Sequence, residues 1–585
     1  SDLIPRKAGR THNMKLIFEY IKRHWISFLL STMFLTLEAA ADLLQPTFMS
    51  YIVDRGIKNA DVDQILHYGL IMLCIAAVGA AGALMRNYFS VRTSQTVALE
   101  LRRDMYRSVQ RLSLENIDVL QPAGIITRIT NDVTQIQEFI NSMMRMMVKA
   151  PITCIGAVAL IIMQTPRQAP VLIVILIIVG FLILGNVKIG YPRFGRVQKK
   201  LDALNAAARE FLSSVRVVKA FNAEEAEGKK FNAASGELAA ANTSALHANA
   251  LFNPLINLAV NMGIVVLLYI SRSQNAGEIG KLMASVNYMT QVLFALTRIA
   301  NVINVAVRAM ASSARIQEVF DEKPAQPRAE SPLSPEIRGN IKFDNVSFAY
   351  AISAKDSLSG ISLTVREGET LGIIGPTGAG KTTLINLIPR FYDATEGAVY
   401  IDDCNVNSMD EHTLRAAVAV VPQKALLFSG TIRDNLLWGK SDATQAELDS
   451  ACRTARADEF IKNTPNGYDS ILGQGGVNLS GGQKQRLSLA RALIRTPKIL
   501  ILDDCTSALD ADTEARVLSG IRETARGMSV LLISQRISTV MKADRILCLE
   551  NGLMRGLGTH DELMRICPLY REIYASQIGG EADGN

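Results

Sequence analysis

Charge is scarce in this chain of 585 residues: Asp, Glu, Lys and Arg make up 20% of it, against 49% apolar residues. A disordered chain needs the opposite balance, so that class is excluded. Aromatics are also few, at 6% with two tryptophans. The seven cysteines (Cys74, Cys154, Cys404, Cys452, Cys505, Cys548 and Cys567) are scattered and form no Cys-x-x-Cys pair. That pattern argues against a disulfide scaffold or a zinc site and fits reduced thiols. No small-residue cleavage site follows a short apolar core near residue 1, so a removed signal peptide is not expected. Sixty-two basic against 55 acidic residues leave a net charge of +7, modest for this length. The basic residues crowd beside apolar stretches, which points to membrane topology; no nucleic-acid partner is expected.

What the chain does have is long apolar runs. Mean hydropathy is +0.17, high for a purely soluble enzyme. Six runs, approximately 25–53, 65–89, 143–163, 171–187, 251–270 and 282–307, are long enough, or nearly so, to cross a hydrocarbon layer of about 30 Å as helices. Basic residues crowd before the first run, after the second (Arg92, Arg102, Arg103, Arg107, Arg111, Arg128) and after the fourth (Lys188 to Lys230). The alternate connectors, 54–64, 164–170 and 271–281, are short and poor in Lys and Arg. Six spans with both ends in the cytosol satisfy the positive-inside bias at every loop. The two basic connectors have few Gly or Pro and read as helical continuations of the spans into the cytosol. Each is positioned to present a short surface to a following soluble domain.

Pro324, Pro327, Pro332 and Pro335 mark 321–339 as a linker. Beyond it, strand-like runs at 341–348, 372–374, 499–502 and 530–533 alternate with helical patterns, as in an α/β domain with a mainly parallel sheet. The organisation expected is a membrane domain over 1–320, the linker, and a nucleotide-binding domain over 340–585.

Gly375-Pro376-Thr377-Gly378-Ala379-Gly380-Lys381-Thr382, followed by Thr383, matches GxxxxGK[ST] between a strand and an apolar-periodic helix. The glycines let backbone N–H groups curl around phosphate oxygens at a helix N-terminus. Lys381 is expected to reach the β- and γ-phosphates of ATP, and the Thr382 hydroxyl to ligate Mg2+. Downstream, the buried run 499–502 ends in Asp503, a second Mg2+-organising carboxylate.

Between these elements stands Leu479-Ser480-Gly481-Gly482-Gln483. This LSGGQ resembles the signature of ATP-binding-cassette (ABC) proteins. Gln423, the run Ser507-Ala508-Leu509-Asp510 and Tyr350 fall where that family has its Q-loop, D-loop and adenine-stacking aromatic; the resemblance adds Gln423 to the Mg2+ ligands. Asp118, Gly124, Arg128 and Asp132 are similar to the first intracellular loop of ABC exporters, and Arg216–Phe221 to the second. The resemblance therefore covers nearly the whole chain. It implies a type IV, multidrug-type half-transporter: a six-helix transmembrane bundle with long cytosolic helical extensions, followed by an α/β P-loop ABC nucleotide-binding domain. It also implies head-to-tail pairing with a second half, each ATP lying between one chain's phosphate loop and the other's signature.

Two positions depart from the family pattern. Asp504 stands where Glu polarises the attacking water, one methylene shorter, and Gln535 stands where a switch His is expected. Gln has no titratable nitrogen. With an intact signature beside a weakened catalytic pair, the chain resembles the degenerate-site subunit of heterodimeric bacterial ABC exporters. The implied partner carries Glu and His at these positions, a homodimer being the rival arrangement. The function expected is ATP-driven export of amphipathic small molecules, multidrug or lipid-like, across the cytoplasmic membrane. An importer or an ATP-gated channel or sensor is the alternative. Membrane lipid and an amphipathic small-molecule substrate are the other partners expected. Glu38 and Asp42, four apart in the first span, are either members of charge pairs that lock helices together or mark the water boundary, or candidate walls of a substrate cavity that would favour cationic amphiphiles.

Overall fold

Apolar runs broken only rarely by proline make the first half of the chain almost wholly helical. The computed structural model describes residues 10–166, 169–271, 279–351, 353, 355–524 and 527–578, with side chains except at 10–13, 169, 172, 187, 191, 248, 249, 253, 271, 296–301, 303 and 304. Among the described residues, five helical stretches are, by length and composition, apolar enough to cross a membrane: Trp25–Ile57, Val62–Arg111, Pro122–Gln164, Ile173–Ser213 and Glu224–Ile270. The sixth expected run lies in the helix Ile279–Asp321. A span needs about 20 residues, so the 50 residues of Val62–Arg111 overrun the hydrocarbon by several turns. The expected connectors 164–170 and 271–281 fall partly outside the described residues, at 167–168 and 272–278.

Two compact units result. The first comprises the chain up to Val109 together with Ala123–Asp321; the second comprises Gln110–Pro122 together with the chain from Glu322. Polar ties lock the helices of the first unit. Asp132, fully buried, accepts from Ser312 Oγ at 2.9 Å and from Arg315 Nε at 2.8 Å. Tyr288 Oη donates to the Leu43 carbonyl at 2.8 Å, and the Asp54 carboxylate accepts from the backbone N–H of Gly280 at 2.6 Å. Arg128 pairs with Glu318 at 2.6 Å.

The second unit is α/β. Its strands are β1 (Ile341–Phe348), β2 (Leu358–Val365), β3 (Thr370–Ile374), β4 (Glu396–Ile401), β5 (Cys404–Asn405) and β6 (Val418–Val421). They continue with β7 (Gly430–Thr431), β8 (Ile471–Leu472), β9 (Ile499–Asp503), β10 (Ser529–Ile533), β11 (Arg545–Glu550) and β12 (Leu553–Gly558). One sheet has the order β2-β1-β4-β5 and is antiparallel throughout. The other has the order β12-β11-β3-β10-β9-β6, parallel except for the edge strand β12. β9 and β10 are buried at every residue, as strands covered on both faces must be. Gln110–Pro122 joins this unit through Asn116, which donates to Glu322 Oε1 at 2.7 Å and accepts from the N–H of Ala325 at 2.9 Å.

Candidate nucleotide site

Ligands of open α/β sheets bind beyond the carboxyl ends of parallel strands, and four such ends meet here. Ile373 of β3 and Asp503 of β9 both lie opposite Ile533 of β10, and Val421 of β6 lies opposite Leu502. The segments leaving those strands carry Gly375–Thr382, Asp503 and Asp504, Gln535, and Gln423. Residues spread over 160 positions of sequence thus come to one edge of one sheet.

Glycine is required in the phosphate loop for its conformation. Gly378 and Gly380 have φ of +82° and +96°, a region that side chains disfavour. A Cβ at Gly380 would also meet the Ser357 carbonyl at 2.7 Å. Pro376, Thr377 and Gly378 are exposed at the loop crest, and Ala379 is buried beneath it. Lys381 Nζ donates to the carbonyls of Gly375 and Pro376, each at 2.8 Å, which holds the ammonium over the loop. Burial pushes its pKa down, against the attraction of Asp504 and Asp503. Thr382 Oγ1 donates to Asp503 at 3.0 Å, and burial raises the Asp503 pKa.

Asp504 is 6% exposed, at a φ of +45°. Its Oδ2 accepts from Gln423 Nε2 at 3.1 Å and from Gln535 Nε2 at 3.4 Å. Burial raises its pKa too, opposed by hydrogen bonds from Gln535 and Gln423. Both side chains that contact this oxygen are neutral amides. Neither can take up a proton as an imidazole can.

Tyr350 packs edge-on against Phe348 and Tyr392, with centroids 4.8 and 5.2 Å away, and its hydroxyl lies 3.2 Å from Thr383 Oγ1. Tyr392 Oη donates to Asp118 Oδ2 at 2.6 Å, and burial followed by that carboxylate pushes the phenol pKa up. Asp118 and the three aromatic residues border a cavity of about 470 Å3.

Ser480 caps the helix Gly481–Leu493 through a reciprocal pair: Gln483 N–H to Ser480 Oγ at 3.3 Å, and Ser480 N–H to Gln483 Oε1 at 2.9 Å. Ser480 and Gly481 are exposed, and Leu479, Gly482 and Gln483 are half-buried. Gln485 then fixes the loop Ser507–Asp510 by accepting from the Ala508 N–H at 3.0 Å and donating to Ser507 Oγ at 3.3 Å. Leu509 is buried, and Asp510 caps the next helix through the Thr513 N–H at 2.9 Å.

Sequence reasoning missed Gln485, Glu514 and Arg536. Glu514, buried, pairs with Arg536 at 2.7 Å and accepts from Thr506 at 2.7 Å and Thr539 at 2.8 Å. Arg536 reaches the Ser507 carbonyl at 3.3 Å, joining the segments after β9 and β10. The available signal was a lone carboxylate four residues past Asp510 on an otherwise apolar helix face.

Glu38 and Asp42 lie together in the first unit, apart from these residues in sequence and chemistry. Glu38 is closed by two cations, Arg86 at 2.6 Å and Lys149 at 2.5 Å, and Asp42 shares Lys149 at 2.8 Å.

A phosphate loop facing two carboxylates at the edge of a parallel sheet, in one chain with long apolar helices, defines a membrane-embedded P-loop ATPase. The ABC transporter transmembrane region matches residues 28–296, and the ABC transporter domain matches 358–507. An ABC transporter ATP-binding protein of Bacillus subtilis, YfiB, is 37% identical over 93% of this chain and 95% of its own. The chain belongs to the ABC transporter family. A multidrug efflux ATP-binding/permease protein of Mycobacterium tuberculosis is 32% identical over 95% of this chain, which spans 46% of that protein. An ATP-dependent lipid A-core flippase of Chromohalobacter salexigens is 29% identical over 98% of this chain and 99% of its own. Among solved structures, a bacterial Atm1-family ABC exporter with ATP bound superposes with a TM-score of 0.78 at 27% identity, covering 94% of this chain and 98% of that one. This is an integral protein of the cytoplasmic membrane with an exporter fold, and its ATPase activity is coupled to transport.

Proposed function

We propose that the chain is one half of a heterodimeric exporter of amphipathic small molecules. It supplies a site that holds ATP and cleaves it slowly, together with a signature that completes the partner's site. One observation carries this reading: Asp504, a methylene too short, sits between two neutral amides, while the signature is intact and Ser480 and Gly481 face outward. Shortening the carboxylate moves the base by about 1.5 Å, and a misplacement of about 1 Å lowers rates on the order of 10²-fold. The multidrug and lipid relatives support an amphipathic substrate.

In this reading the N–H groups of Thr377–Thr382 and the Lys381 ammonium clamp the triphosphate, and Tyr350 stacks on the base. Thr382, Gln423 and Asp503 offer only oxygen donors once the Gln423 amide nitrogen is committed to Asp504, a set that suits Mg2+. That ion, when bound, supplies neutralisation of charge on the phosphate oxygens. ATP acts as a ligand that favours the closed dimer, and the slow site keeps the halves partly associated between cycles.

The test is a pair of substitutions in the assembled transporter. Replacing the partner's catalytic Glu by Gln is expected to abolish turnover, and Asp504→Asn to change it little. A large loss from Asp504→Asn overturns the reading. Nucleotide-driven dye uptake into inverted vesicles, with and without the second half, separates export from import and from gating.

A further inference from the structure

The charged cluster of the first unit is neutral as built: Glu38 and Asp42 against Arg86 and Lys149, all within 2.8 Å of a counter-charge. Glu38 and Arg86 are each 9% exposed. Asp42 is the open member, its side chain 44% exposed against 16% for Lys149. Asp42 and Lys149 line a cavity of about 200 Å3 with Gln45, Thr153, Gln291 and Phe294. Gln291 borders that cavity with its acceptor turned away from it. Its Nε2 donates to the Asp42 carbonyl at 3.3 Å, while its Oε1 is buried and accepts from no described residue.

Charge balance decides what this cavity can take. A cation alone must displace Lys149 from Asp42, which adds a positive charge to poorly hydrated surroundings. An anion alone takes Lys149 and leaves Asp42 unpaired. Either outcome is costly where water is scarce. A head group carrying one charge of each sign replaces the Lys149–Asp42 contact by two contacts and leaves the cluster neutral. Its ammonium would meet Asp42 and the exposed ring of Phe294, a favourable face for a cation. Its anion would meet Lys149, which Glu38, itself paired with Arg86, holds in place. The cavity is smaller than the 300–1,000 Å3 or so of a drug-sized site, so it fits a head group and not a whole amphiphile.

We propose that Asp42 and Lys149 form a two-charge head-group site for zwitterionic amphiphiles bearing an ammonium and a phosphate. This rests on the exporter reading and revises its expected preference for cations. Such a head group occurs both on membrane lipids and on soluble amphiphiles.

The test uses the full chain, purified with any half that accompanies it, and three twelve-carbon probes below their micelle concentrations: dodecylphosphocholine, dodecyltrimethylammonium and dodecyl phosphate. Binding is read as ligand-induced thermal stabilisation, and transport as ATP-dependent uptake into inverted vesicles. Wild type is expected to bind dodecylphosphocholine most tightly. Asp42→Asn is expected to weaken it about tenfold or more, the scale of a lost close charge pair, while sparing dodecyl phosphate. Lys149→Gln is expected to weaken it similarly while sparing the trimethylammonium probe. A folding defect would weaken all three probes alike, so the reciprocal pattern is diagnostic. Tighter binding of the cation by wild type, or an equal loss of all three probes in both variants, overturns the proposal. Selective binding without ATP-dependent uptake supports the site and defeats the export reading instead. Movement of a fluorescent phosphatidylethanolamine between leaflets of proteoliposomes assigns the site to lipid; its absence beside uptake of the soluble probe assigns it to soluble amphiphiles, and both support the site.

Discussion

At position 504 a single methylene separates the side chain present from the one that polarises water well. The buried carboxylate already contacts Gln423 and Gln535, so on the slow-site proposal lengthening it and placing an imidazole at 535 should act together. The double substitution Asp504→Glu with Gln535→His is expected to raise phosphate release by the purified chain about tenfold or more. An unchanged rate would place the limiting step outside this pair. Lys381→Ala removes the cation held over the phosphate loop by two carbonyls. Binding of a fluorescent ATP analogue should weaken by at least about tenfold, the scale of a lost charge-assisted contact; affinity within a factor of two would contradict the phosphate-clamp role.

Elements are fixed by small polar devices that hydropathy does not reveal. Asp402, at the turn between β4 and β5, accepts from the N–H groups of Arg338 at 2.6 Å, Asn340 at 2.9 Å and Gly339 at 3.1 Å. Burial opposes its charge, but the Asn340 side chain and those N–H groups outweigh it and hold the pKa below the usual aspartate value. Asp402→Ala is expected to destabilise the second unit by roughly 1–3 kcal/mol, from donors left unpaired, read by denaturant unfolding. Because the folded-state pKa is the lower one, this stabilisation is complete above the ordinary aspartate pKa of about 4 and is lost as pH falls through the folded value. The gap between wild type and variant should therefore close on acidification and stay constant at neutral pH; a gap that widened on acidification would refute the assignment. The signature helix depends on a similar device. Ser480→Ala removes its N-cap and should cost about 1 kcal/mol, read by denaturant unfolding.

At the scale of the whole molecule, membrane and nucleotide functions share one chain yet fold around separate cores. Gln110–Pro122 is the exception: it comes from the membrane half in sequence and packs with the nucleotide-binding unit. The expectation of a short docking surface on that connector takes physical form in Asn116 and in the 2.6 Å hydrogen bond from Tyr392 to Asp118. Tyr392→Phe removes that donor beside the cavity bordered by Tyr350. It is expected to reduce substrate stimulation of ATP turnover more than basal turnover, with little change in thermal stability, since Asp118 is exposed. Equal losses in both rates would argue for a merely structural contact.

Residue order alone determined whatever depends on local pattern. Long apolar runs had to become spanning helices, GxxxxGK[ST] after a strand marked the candidate phosphate loop, and the identities of Asp504 and Gln535 were open to direct reading. Contacts between distant residues were not, because nothing local encodes them. Glu514 and Arg536 meet across 22 positions, and Gln423 reaches Asp504 across 81. The counter-charges of Glu38, Arg86 and Lys149, stand 48 and 111 residues away. Only folding decides which charges are cancelled and which stay open, because electrostatic energy depends on distance through space and on burial, and neither is written along the chain.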